Sequence, residues 1–195
     1  MYYSKYNRKK EIIKNTIIIG FILFIAVFST YHIYYKFTDN TKIDYSSESL
    51  DITFHEPDGE ELDIVKVIPL NDSVGLSSNT HTISIKNNLT EPVNYKIKLV
   101  DNTEKMLEQN CEGITIPRDE IRVSIKKAGS QTAIYTLSEL ENDVLLSVTS
   151  EALEEAKYTV RIWVKNESSL PSGSTNHYHG LIQVVENDEL LAVVK

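Results

Sequence analysis

The heptapeptide Tyr158–Val164, YTVRIWV, decides the fold. Tyr158, Val160, Ile162 and Val164 fall on one side of an extended chain, and Thr159, Arg161 and Trp163 on the other. A period of two with β-branched and aromatic residues is the pattern of a half-buried strand, because successive side chains point to opposite faces of a sheet. Helical spacing would scatter the same apolar residues around the axis.

The period holds on both sides of this stretch. Upstream, past the polar connection SEALEEAK, Val144, Leu146 and Val148 alternate, and before them Ile121, Val123 and Ile125 and the run Ala133 to Leu137 read as strands separated by AGS. Val93, Tyr95, Ile97 and Leu99 alternate with Asn94, Lys96 and Lys98, and the turn NNLTEP links them to His81, Ile83 and Ile85. Leu50, Ile52 and Phe54 open the series, and Ile64 to Ile68 form a second short run ended by Pro69. Thr103 to Gln109 is the one segment of this region that suits a short helix. Short strands punctuated by Pro, Gly and Asn turns predict an all-β sandwich, immunoglobulin-like or jelly-roll, over residues 49–186, with 187–195 as a C-terminal tail.

LEEAKYTVRIWVKN resembles the strand of fibronectin type III and related immunoglobulin-like sandwiches in which a tyrosine opens a run of inward residues; the resemblance implies that Tyr158 is a corner tyrosine. The anchor described below, YTVRIWV, a polar loop and then HGLIQV together resemble small membrane-anchored surface proteins of Gram-positive-type bacteria. That resemblance implies an envelope location and transfers no catalytic residue.

Downstream of the loop SSLPSGST lies STNHYHGLIQV. Tyr178, Gly180, Ile182 and Val184 share the core face, so His177 and His179 are expected to point outward. If residues 166–176 close a simple hairpin, Lys165 opposes His177 and Trp163 opposes His179. The expected result is a surface patch of Arg161, Trp163, His177, Tyr178 and His179, in which an exposed tryptophan is the natural contact residue. Protonation of its histidines below about pH 6.5 would make such a contact pH-sensitive.

Two histidines two apart on a strand share a face, yet a zinc site needs three or four ligands, and no set of metal ligands or cofactor motif is assembled. SIKK at Ser124 to Lys127 has a Ser-x-x-Lys spacing, but on a strand its two ends face oppositely. No phosphate loop, nucleophile triad or carboxylate pair is present, so no enzymatic activity is expected.

The remainder concerns location. Residues 15–35, NTIIIGFILFIAVFSTYHIYY, contain no Asp, Glu, Lys or Arg. An apolar run of about 20 residues matches a hydrocarbon core of about 30 Å, and its apolar residues surround the axis rather than forming a stripe. Residues 15–36 are therefore expected to be a transmembrane helix contacting the lipid bilayer. Lys5, Arg8, Lys9, Lys10 and Lys14 precede it, which by the positive-inside rule makes 1–14 a basic cytoplasmic segment and places the rest outside the cell membrane. The lack of a small-x-small cleavage site favours an uncleaved anchor, followed by a linker at 37–48.

Residues 1–36 carry six Lys/Arg and one Glu, which leaves 14 Lys/Arg and 27 Asp/Glu for residues 37–195. Such an acidic ectodomain argues against nucleic acid as a partner. A lone cysteine, Cys111, excludes an intrachain disulfide. The expected function is that of a single-pass, membrane-anchored surface module that binds a protein partner or assembles with itself. The alternatives are an accessory subunit of an envelope machine, with the sandwich as spacer, and a fibre protein that assembles through the edge strand Leu50 to Phe54.

Overall fold

A computed structural model describes residues 16, 18–21, 23–25, 27, 42–55, 62–106, 115–186 and 189–194. The chain divides into two compact units, Met1–Asn40 and Thr41–Lys195. In the first, every described residue is helical and exposed, among them Ile19, Phe21, Leu23, Phe24 and Val27. Among the described residues no helix is long and apolar enough to cross a membrane. Most of the expected span at 15–36, the basic segment 1–14 and Cys111 lie outside them.

The second unit is built of β-strands arranged in two sheets, consistent with a β-sandwich. The larger sheet runs in the order β1 (Lys42–Ser46), β2 (Leu50–His55), β5 (His81–Asn87), β10 (Glu155–Lys165), β7 (Ile121–Lys127) and β8 (Ala133–Thr136). The two-residue β4 (Pro69–Leu70) adds in parallel to the end of β10. The smaller sheet has the order β12 (Glu189–Val194), β11 (Tyr178–Glu186), β6 (Val93–Asp101) and β9 (Val144–Ser150), with β3 (Asp63–Ile64) paired to the start of β11.

The predicted alternation supplies the core. Ile52, Phe54, Ile83, Ile85, Val123, Tyr158 and Val160 from the large sheet face Tyr95, Ile97, Leu99, Tyr178, Ile182 and Val184 from the small one, all buried. Tyr158 spans the interior to meet Tyr95, with the two hydroxyls 2.7 Å apart and the rings edge to face. The expected corner tyrosine is thus a bond between the sheets. A buried phenol needs a partner, and another phenol supplies it without importing charge.

Three sequence expectations are corrected. The 37–48 linker contains β1, whose residues pair along β2 from Lys42↔His55 to Ser46↔Asp51. The expected tail at 187–195 contains β12, which extends the small sheet beyond β11. Leu50 to Phe54 is not an edge, since β2 is paired on both sides, by β1 and by β5. The helix expected at Thr103 to Gln109 is present over Thr103–Met106 among the described residues.

Candidate functional site

The five predicted contact residues gather at one end of the sandwich, but not as a surface patch. β10 and β11 belong to different sheets, so neither Lys165↔His177 nor Trp163↔His179 forms. Trp163 instead opposes Arg122 of β7, and Arg161 opposes Ser124. The residues between β10 and β11 do not close a hairpin but carry the chain from one sheet to the other, a gap of about 10 Å between packed sheets. Glu120 holds this connection, accepting from the Ser169 hydroxyl at 2.7 Å and the Ser169 N–H at 3.3 Å.

The predicted faces are right and the predicted exposure is wrong. Trp163 points away from the core, yet is only 3% exposed. The cover is a short helix, Asp72–Gly75, N-capped by Asn71, whose side chain accepts from the Val74 N–H. A methyl group at Gly75 would lie 2.4 Å from the indole ring carbons, so only glycine allows this approach. Among the described residues the buried indole Nε1 has no hydrogen-bond partner, so packing holds the ring. Arg122, beside Trp163, ties the helix down through Asp72 at 3.2 Å.

His177 and His179 are also buried, each 6% exposed, with ring centroids 5.2 Å apart. His179 Nδ1 lies 2.7 Å from Asp63 Oδ1, and Lys105 Nζ lies 2.7 Å from Asp63 Oδ2. Burial pushes the Asp63 carboxyl up, against the opposing pull of its hydrogen bond and charge contact with His179. These groups fasten β3 and the helix Thr103–Met106 to the head of β11. Among the described residues, no three His, Cys, Asp or Glu side chains come together as a metal site. Tyr178 is fully buried and donates to Asp101 Oδ1 at 3.0 Å.

Residues 62–70 form a strap over this end of the sandwich. Leu62 O accepts from the Gly180 N–H, Val67 exchanges backbone bonds with Gly173 and Ser174, and Leu62, Ile64 and Val67 are buried. Val65 and Ile68 point outward, 71% and 54% exposed. Between the strap and β10 lies a groove with a cavity volume of about 370 Å³, lined by Val65, Ile68, Leu70, His81, Ile162 and Trp163 among others. Sequence reasoning missed it because Ile64 to Ile68 reads as one strand, whereas the chain pairs with one sheet at Asp63–Ile64 and with the other at Pro69–Leu70.

His81 closes the inner wall of this groove. Burial pulls its imidazole down to about 4. The unfolded chain takes up this proton near pH 6.5, whereas the folded chain resists it until about pH 4. Its contribution is therefore constant above pH 6.5 and is lost as the pH falls through that window, by roughly 3 kcal/mol. Urea unfolding at pH 7 and pH 4.5 should show a smaller loss for His81→Leu than for the wild type. Equal losses would contradict the assignment.

No protein-family model, curated protein or solved structure matches this chain.

Proposed function

We propose that this protein is a single-pass membrane protein that holds an immunoglobulin-like β-sandwich outside the cell membrane, where the sandwich acts by binding rather than by catalysis. The observation that carries this reading is the uncharged run 15–35 behind a basic segment, with its described residues helical and exposed. Exposed apolar side chains in such a run favour lipid, and a helix satisfies its own backbone there.

The strand order supports the immunoglobulin-like arrangement. β2-β5-β10-β7 matches the four-stranded A-B-E-D order and β6-β11-β12 the C-F-G order, with β1, β8, β9 and the two-residue β3 and β4 as additions. In that correspondence the tyrosine at the head of the sixth strand is Tyr178. Val65 and Ile68, beside the groove over Trp163, replace the predicted patch as the contact surface, because exposed aliphatic side chains at a groove mouth lose the most water on binding.

The test is extraction of cell membranes at alkaline pH. The wild-type chain should remain in the pellet. The variant Phe21→Asp/Leu23→Asp should be released, since each acid in the middle of a span costs about 2.5–3.5 kcal/mol. Release of the wild type, or retention of both, would overturn the anchor.

A further inference from the structure

The outer face of the large sheet holds a second groove, which shares no lining residue with the first. Its lining is Leu76, Lys126, Ala128, Gly129, Thr132, Lys157, Thr159 and Arg161, around a cavity volume of about 410 Å³. Strand register explains the gathering. Thr159 of β10 sits opposite Lys126 of β7, and Lys157 and Arg161 flank Thr159 on the same face. Directly opposed residues lie about 5 Å apart and diagonal ones about 7–8 Å apart, so three cations surround one threonine hydroxyl.

Among the described residues none of the three forms an ion pair. The described ion pairs use Lys105, Arg118, Arg122, Lys127, Lys165 and His179, but not Lys126, Lys157 or Arg161. Among the described residues no carboxylate lines the groove. This is not for want of acids, since residues 37–195 hold 27 Asp/Glu against 14 Lys/Arg. Three like charges on neighbouring positions repel one another, a cost that an anion filling the groove would reverse. Arg161 is also aimed, because its Nε donates to the Ser78 carbonyl at 3.3 Å and restricts the planar guanidinium. Ser124, opposite Arg161 on the same sheet face, is fully buried with a hydroxyl that has no partner.

We propose that this groove binds an anionic ligand through its oxyanion groups, phosphate or carboxylate. Lysine and arginine recognise the oxyanions of both, and threonine hydroxyls add neutral donors. Among the described residues no aromatic side chain lines the groove, so it offers none of the stacking that recognises single-stranded nucleic acid. The proposal corrects the inference from net charge: the surface is acidic on average and basic at this place. It does not depend on residues 15–35 spanning a membrane, so failure of either claim leaves the other standing.

The experiment measures binding of fluorescent polyphosphate and fluorescent polyglutamate to the full chain in a neutral detergent, across a salt series. At least one polymer should bind, with affinity falling linearly in log–log form as salt rises. Lys126→Gln/Lys157→Gln, both at exposed positions, should weaken that binding by about tenfold or more at low salt. Lys96→Gln/Lys98→Gln, the same charge change on the small sheet, should leave it within about twofold. Which polymer binds tells phosphate from carboxylate as the recognised group. Three results would overturn the proposal: neither polymer binds, the two double variants behave alike, or a single-stranded oligonucleotide of equal charge binds more tightly than both polymers.

Discussion

Trp163→Ala is expected to lower the unfolding free energy of the sandwich by about 3–5 kcal/mol, the range for deleting a buried aromatic ring. The indole lies between the outer face of β10 and the helix Asp72–Gly75, with room for no side chain at position 75. Without the ring, that helix loses its support, and Arg122–Asp72 is left as a half-exposed ion pair that cannot hold it. A solvent-facing tryptophan would change stability by no more than about 0.5 kcal/mol. Urea unfolding followed by circular dichroism separates the two cases, and a loss under about 1 kcal/mol would contradict the packing described. The wild type offers an independent reading, because Trp163 is the only tryptophan in the chain. Its emission should be that of a dry indole and should shift to longer wavelength on unfolding.

The contrast between Trp163 as predicted and as found marks what the sequence can disclose. Alternation in YTVRIWV correctly divides core-facing from outward residues, because the side-chain period of a strand is a local property of the backbone. What covers an outward residue is not local. The four-residue helix over Trp163 comes from a distant stretch of chain, and nothing in its sequence names its docking place. The same holds for His177 and His179, which the strap and the helix Thr103–Met106 enclose through Asp63 and Lys105.

Sheet membership was the second illegible feature. Consecutive strands usually pair, so β10 and β11 read naturally as a hairpin, but the connection between them is long enough to cross the sandwich. The basic groove was illegible for a related reason. Lys126 and Lys157 each appear as ordinary outward residues on separate strands, and only the β7–β10 register makes them neighbours. A composition that is acidic overall then obscures them further.

The central claim, that the chain crosses a bilayer with its sandwich outside, predicts an all-or-none difference between two ends of one molecule. The five basic residues before position 15 oppose translocation of the N-terminus, whereas the acidic domain that follows carries no such bias. With Cys111 replaced by serine, one cysteine can be placed at Glu167, an exposed position between β10 and β11, or at Lys5. Intact cells are then treated with a membrane-impermeant maleimide. Cysteine at position 167 should be labelled at once, and cysteine at position 5 only after the membrane is permeabilised. Labelling of position 5 with protection of position 167 would contradict the orientation, and protection of both in intact cells would contradict an extracytoplasmic sandwich.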